Sequence, residues 1–327
     1  MVATFLSNFA RAQRQPVDRW SVGVILLCGM ILGPVLAVLV AAFGESGGLW
    51  SHLYDTVLGH YISNTLILMA GVGVVAIGFG VSSAWVISRY DFAGRRILEW
   101  MLLLPAAIPA YIIAYSYTEF FEYAGPLQSG LRHLFGWQSS RDYWFPEIRS
   151  LGGAILVMAS VLYPYIYMVT RIAFRLTPAS LFEIALVHNR SQFWQVGLPL
   201  ARPAIMAGLA LVMMEVMSDF GTVEFFAIET ITLGIFNVWL GMNNLVAAAQ
   251  ISIVGFGFIL ALLGLELYAR SRQQYVSSSH NQMPLAMLVP TKAGVLACWA
   301  VCVIPLLFGF FIPVGVLLGL VATNDLL

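Results

Sequence analysis

Seven stretches of this chain are long and apolar enough to cross a lipid bilayer: residues 21–43, 62–87, 97–118, 151–170, 203–220, 245–268 and 293–321. Inside the hydrocarbon no water is available to the backbone, so each N–H and C=O must find a partner within protein. Runs of this length meet that demand as helices, and the chain is expected to be an all-α polytopic membrane protein. Its composition agrees. Of 327 residues, 60% are hydrophobic and 10% charged, whereas soluble domains carry about 25% charged residues. The first run is too long for the core of a signal peptide and no small-residue cleavage pattern follows it, so it reads as an uncleaved span. A formal net charge of zero offers nucleic acid no bulk attraction, which leaves membrane lipid as the expected surroundings.

The basic residues set an orientation. With residues 1–20 in the cytoplasm, the segments on that side hold Arg11, Arg14, Arg19, Arg89, Arg95, Arg96, Arg171, Arg175, Arg190, Arg202, Arg270, Arg272 and Lys292. The opposite side holds Arg132, Arg141 and Arg149. A split of thirteen to three is a strong positive-inside signal.

The remaining segments divide the chain further. Residues 119–150 are polar and carry Trp137, Tyr143 and Trp144, as expected at a membrane interface. The apolar piece 231–240 is too short to span and reads as re-entrant or interfacial. Gly29 and Gly33 in the first span, and Gly315 and Gly319 in the seventh, have the spacing of helix-contact faces. The expected division is a cytoplasmic segment 1–20, a six-span domain 21–270, a cytoplasmic linker 271–292, and a seventh span at 293–327. An odd span count reads as the start of a second repeat whose remainder is absent.

Residues 177–203 form a polar island between two apolar runs, with Glu183, His188, Asn189, Arg190 and Arg202. Ser180 and Glu183 have capping-box spacing, which predicts a short helix from Leu181, with Pro178 upstream where it cannot break it. Gly197 and Pro199 are expected to end the segment and Pro203 to open the next span.

The island resembles the cytoplasmic coupling loop of ABC-importer permeases. In that family a Glu-Ala-Ala opens a short helix, a Gly follows, and a Leu-Pro closes the loop. Glu183, Ala185, Leu198 and Pro199 match, Ile184 replaces the first Ala, Asn189 stands at the Gly, and Ser191 keeps the following Ser. Asn tolerates left-handed backbone best among non-Gly residues, so that exchange is mild. About three residues are missing between Ser191 and Phe193, close to one helical turn. Phe193 and Trp194 are therefore expected to leave the positions from which family members brace the short helix.

The resemblance extends over roughly residues 60–270 and is to the fused, two-repeat permeases of ferric-iron ABC importers. It rests on Asn-Thr-Leu at 64–66, Ser-Arg-Tyr-Asp-Phe-Ala-Gly-Arg-Arg at 88–96, Leu-Pro-Ala-Ala-Ile-Pro-Ala-Tyr at 104–111, Tyr-Pro-Tyr-Ile-Tyr at 163–167 and Asp-Phe-Gly-Thr-Val-Glu at 219–224. It implies a type I ABC importer transmembrane domain in a bacterial inner membrane. It also implies three partners: a cytoplasmic ATP-binding subunit dimer, a periplasmic iron-binding protein, and a second permease half or a second copy. Lys292, the one lysine, is not in a P-loop, so ATP would be bound by the partner and no cofactor is expected here. With a shortened loop and no second half, this polypeptide alone is expected to insert without supporting transport. A permease for another small solute is the alternative within the class, and an ATPase-independent channel or scaffold the alternative outside it.

Glu215 lies within the fifth span, with Asp219 four residues on and on the same helical face. Together they read either as an acidic wall of a cation path or as structural carboxyls hydrogen-bonded to a neighbouring helix. Tyr163, Tyr165 and Tyr167 surround Pro164, where phenol oxygens would suit ferric iron but an aromatic belt or a kink explains them more simply. Cys298 and Cys302 are helically spaced thiols, which suit soft metals rather than iron. The five histidines form no ligand-spaced pair, and no hydrolase motif is present.

Overall fold

The computed structural model describes residues 18–271 and 287–323. Six helical stretches are long and apolar enough to cross a membrane: Trp20–Ala42, Leu58–Arg89, Leu151–Leu176, Phe193–Ser218, Leu245–Gly264 and Lys292–Ala322. A seventh candidate is a bent pair, Arg95–Ala107 with Ala110–Phe135, which turns by 92°. The sequence reading of one continuous third span at 97–118 is therefore corrected. The cause is local. Pro105 opens a tight turn over Leu104–Ala107, and Ile108, preceding Pro109, is forced to extended backbone with φ −106 and ψ 124. The helix restarts only at Ala110.

We number the helices α1 (Arg19–Ala42), α2 (Leu49–Thr56), α3 (Leu58–Arg89), α4 (Arg95–Met101), α5 (Ala110–Phe121), α6 (Pro126–Phe135), α7 (Leu151–Leu176), α8 (Ala179–Val187), α9 (Leu198–Ser218), α10 (Gly221–Phe225), α11 (Ile231–Phe236), α12 (Leu245–Ser271), α13 (Lys292–Leu306) and α14 (Ile312–Thr323). The fifth span begins at Phe193, ten residues before the expected 203. Pro199 sits in the first turn of α9, where it disturbs least, and a wide π-helical turn over Phe193–Gly197 joins it to the preceding residues.

The core is the α3–α7–α9 bundle. Without a hydrophobic drive between helices in lipid, close backbone approach supplies the packing. Ile166 of α7 is held between two glycines: a methyl at Gly80 would lie 2.9 Å from its Cβ, and one at Gly208 2.8 Å from its Cα. The Gly29/Gly33 and Gly315/Gly319 pairs, expected as contact faces, have nothing within 4 Å of an added methyl among the described residues. The tight contacts are elsewhere. From Trp20 to Ala41 no residue of α1 is buried among the described residues, and Ala42 at its end is. Its C-terminal end is tied to α12 by Gln250, whose side-chain amide donates to the Ala42 carbonyl at 3.2 Å.

The last span, α13–α14, is fastened to the others through carbonyls that proline leaves without a donor. Pro305 has no N–H for the Val301 oxygen, and the Ser83 hydroxyl of α3 donates to it at 3.4 Å. In the π-helical turn Leu307–Phe311 the Ile312 N–H reaches back to Leu307, passing over Phe308. The next residue, Pro313, has no N–H to offer. The Phe308 oxygen is met instead by the Tyr117 hydroxyl of α5 at 2.6 Å. Gly309 backs onto the Ser160 oxygen, itself freed by Pro164, and any Cβ there would overlap that oxygen and Pro105. The linker expected at 271–292 falls largely outside the described residues. Its end is anchored, because Leu288 N–H donates to the Arg89 oxygen at 2.9 Å and Asp91 N–H donates to the Leu288 oxygen at 2.9 Å.

Two substitutions test this fastening. Tyr117→Phe should cost about 1 kcal/mol, the scale of one hydrogen bond between membrane helices. Gly309→Ala should cost more, about 1–3 kcal/mol, through overpacking. Denaturant unfolding of the purified chain in detergent measures both, and the reverse order would show that the bend does not pack this way.

Candidate functional site

The polar island forms a compact helical hook at the ends of α3, α7 and α9. Thr177, before Pro178, adopts extended backbone at φ −72 and ψ 129 and ends α7. The chain re-enters helix at once, so α8 starts at Ala179 with Pro178 as its N-cap residue and no side-chain cap. The expected capping box is thus not formed. Ser180 lies inside the first turn, exposed, and Glu183 is exposed beside it. The other end matches its residue type. Asn189 takes the left-handed conformation, φ 53. Arg190 N–H donates to the Ala185 oxygen at 2.8 Å and Asn189 N–H to the Leu186 oxygen at 3.0 Å, the pairing of a Schellman motif.

One face of α8 is buried and the other is open. Phe182 is fully buried and Ala185 nearly so. Leu181, Ile184, Leu186 and Val187 are exposed, Val187 by 84%. The buried face rests on an aromatic cluster centred on Trp85 of α3, with ring centroids at 5.2 Å to Phe174, 5.1 Å to Phe193 and 6.0 Å to Phe182. Each such pair adds about 0.5–1.5 kcal/mol beyond burial. Gly197 makes room for this ring, since a Cβ there would lie 2.6 Å from Trp85. The expectation that Phe193 and Trp194 both leave the bracing positions is corrected for Phe193, which joins the cluster. The π-helical turn restores its direction despite the short loop. Trp194 points outward and is exposed by 67%. Ser191 accepts from the Trp194 N–H at 3.4 Å, and Leu198 and Pro199 are half-buried at the start of α9.

A buried polar chain locks the hook to α3. Arg89 donates from Nε at 3.1 Å and from a terminal nitrogen at 2.9 Å to Gln192 Oε1. Gln192 Nε2 in turn donates to the Phe182 carbonyl at 3.0 Å. The Arg89 guanidinium lies 5.5 Å over the Phe182 ring. Sequence reasoning missed this lock. Arg89 counted as an inside charge and as part of the 88–96 stretch, and Gln192 not at all, because their pairing spans the fold.

Glu215 and Asp219 line a second feature, a cavity of about 220 Å³ at the break of the third span, with Ile108, Pro109, Tyr111, Leu162 and Tyr165. The Asp219 carboxylate accepts from the Thr222 N–H at 2.7 Å and from its hydroxyl at 2.9 Å, holding the first turn of α10. Burial pushes its pKa up, against the lowering effect of those bonds. The Glu215 side chain makes no hydrogen bond to another described residue. Of the three tyrosines, Tyr165 faces this cavity, while Tyr163 and Tyr167 are buried, the latter donating to the Glu99 carbonyl at 3.0 Å.

The lock has a measurable consequence. Gln192→Leu removes an acceptor from a buried guanidinium and a donor from α8, interactions worth about 1.5–3 kcal/mol. Hydrogen exchange of the α8 amides should accelerate about tenfold or more while α3 and α7 stay protected. Unchanged α8 exchange would show that the aromatic cluster alone holds the hook.

Residues 76–276 match the family described as "Binding-protein-dependent transport system inner membrane component". Among curated proteins, the Fe(3+)-transport system permease protein of Haemophilus influenzae is 27% identical over 91% of this chain and 54% of its own length. This chain thus spans about half of that relative. The sulfate transport system permease protein CysW of Escherichia coli is 25% identical over 67% of this chain and 75% of its own. Among solved structures, a bacterial alginate ABC transporter in complex with an alginate pentasaccharide-bound periplasmic protein superposes with a TM-score of 0.58 at 15% identity, covering 80% of this chain and 96% of the other. The fold is that of a type I ABC importer transmembrane domain. With well over half its length under that family description, the chain belongs to the inner membrane components of binding-protein-dependent transport systems.

Proposed function

We propose that this chain is a permease subunit of an ABC importer, forming the membrane path for ferric iron delivered by a periplasmic iron-binding protein and driven by a separate cytoplasmic ATP-binding subunit dimer. The observation that carries the reading is α8. It is pinned from behind by Arg89, Gln192 and the Trp85 cluster, yet it presents Leu181, Ile184 and Val187 to the outside. An apolar helix face held rigidly at the membrane surface suits insertion into a groove on a partner. The charge asymmetry of the loops supports a cytoplasmic α8, within reach of an ATPase. In this reading residues 21–270 form one permease half, residues 1–20 and 271–292 lie in the cytoplasm, and the span from Lys292 belongs to the next half. A second half or a second copy completes the path.

The case for ferric iron rests on two supports. The Haemophilus influenzae relative, named for Fe(3+) transport, aligns with 91% of this chain. The cavity wall carrying Glu215 and Asp219 favours a cation over an anion. A permease for another small solute is the second reading, favoured by the sulfate permease among the relatives. An acidic wall opposes sulfate itself.

Two experiments separate these readings. Ile184→Glu with Val187→Glu should abolish co-purification of the ATP-binding subunit and leave the permease folded. Undiminished co-purification would show that the ATP-binding subunit docks elsewhere than α8, and absence of co-purification with the unsubstituted chain would point to a channel or scaffold. In the reconstituted transporter, Glu215→Gln should lower iron uptake several-fold with basal ATPase activity intact. Unchanged uptake returns Glu215 to a structural role.

A further inference from the structure

The α4 and α7 helices meet, on the same side of the membrane as α8, in a cluster of arginines around one carboxylate. Glu99 accepts from Arg171 at 2.8 Å and from Arg175 at 3.0 Å, and Arg95 lies 3.9 Å from it. A carboxylate accepts about four hydrogen bonds, while three guanidiniums offer about fifteen N–H groups. Asp91 stands 3.6 Å from Arg95 Nε but is largely exposed. The Nε atoms of Arg95 and Arg171 are buried with no hydrogen-bond partner among the described residues. The cluster therefore keeps excess positive charge and unused donors. Arg175 is its solvent-facing member, with a side chain 40% exposed.

An apolar stripe runs from this cluster into the membrane. Met168 and Ile172 are one helical turn apart on α7 and exposed, and Arg175 continues the same face. Ile97 and Trp100 of α4 are also exposed, by 66% and 70%. A tryptophan beside arginines at the end of an apolar stripe is the arrangement of a membrane–water interface.

We infer that this junction is a binding site for an anionic phospholipid. The phosphate of the headgroup sits on Arg175 and Arg171, and the acyl chains lie along Met168, Ile172 and Trp100. The two halves of the site match the two halves of that ligand. A free phosphate would leave the stripe uncovered, and a zwitterionic lipid would not offset the surplus charge. An arginine near an anionic headgroup contributes about 1 kcal/mol, or about fivefold in affinity. The site rests on the membrane reading of the chain and not on its transported substrate.

Native mass spectrometry of the full-length chain, delipidated in detergent and titrated with phosphatidylglycerol or phosphatidylcholine, tests the inference. Phosphatidylglycerol should bind at least about fivefold more tightly. Arg175→Gln should lower phosphatidylglycerol binding about fivefold and leave phosphatidylcholine unchanged, while Arg175→Lys keeps most of the preference. Arg141→Gln, on the opposite side, should have no effect. Equal binding of the two lipids, or equal loss with Arg141→Gln, would overturn the site. Displacement of the lipid by millimolar inorganic phosphate would also overturn it, since the chains would then contribute nothing. A disulfide joining two copies through Ile172→Cys in native membranes would show that protein, not lipid, covers the stripe.

Discussion

A carbonyl oxygen without a donor is costly in hydrocarbon, and this fold is arranged around such oxygens. Proline creates them at Ser160 and Val301, and proline with a wide turn creates another at Phe308. The Val301 and Phe308 oxygens accept from the Ser83 and Tyr117 hydroxyls, on two different helices, and the Ser160 oxygen lies against the backbone at Gly309. The partners are not interchangeable. A hydroxyl must reach from α5 at one height and from α3 at another, and a glycine must allow contact between. Three local defects in helices thus become three tertiary contacts. They fix the last span to the break of the third, where apolar packing alone would permit sliding.

The same economy of polar contacts governs the hook that carries α8. Its aromatic support is apolar and non-directional, so it sets depth but not orientation. Orientation comes from Arg89 and Gln192, which tie the Phe182 carbonyl to the end of α3. In a low-dielectric site such a chain is strong only while every member is present. A push on α8 is then received by α3, the longest helix of the core, which also carries the glycine contacts to α7. Mechanical continuity from surface to core is built from two side chains, one backbone carbonyl and one ring cluster.

How much of this was legible in the sequence depended on whether the signal was local. Apolar length placed most spans, since the bilayer sets that length. It could not place the bend at Pro109, because hydropathy is blind to direction and the run stays apolar through the turn. Ser180 and Glu183 had the right spacing for a capping box, yet Pro178 had already committed the preceding residue to extended backbone, and the helix began too early to use it. The Gly29/Gly33 spacing was real but uninformative. Glycine matters where another backbone arrives, and at Gly80 and Gly208 it arrives from α7, a partner no spacing rule names. Phe193 was misjudged by counting a missing turn as rigid rotation, where the π-helical turn absorbs it. Arg89 with Gln192, and Glu99 with Arg171, are pairings across the fold and leave no periodic trace.

The seventh span illustrates what proline does to the making of a membrane protein, apart from its finished shape. Its apolarity is ample to carry it into the bilayer as a lone helix. Once there, it would hold at least two carbonyls that lipid cannot satisfy. The resting place of such a helix is against protein, and only the earlier spans display Ser83 and Tyr117 at the matching heights. Until they are in place, the Val301 and Phe308 carbonyls lack the hydroxyls they accept from in the folded chain. The prolines thus impose an order on synthesis: the span from Lys292 settles only after the helices carrying Ser83 and Tyr117 are in place.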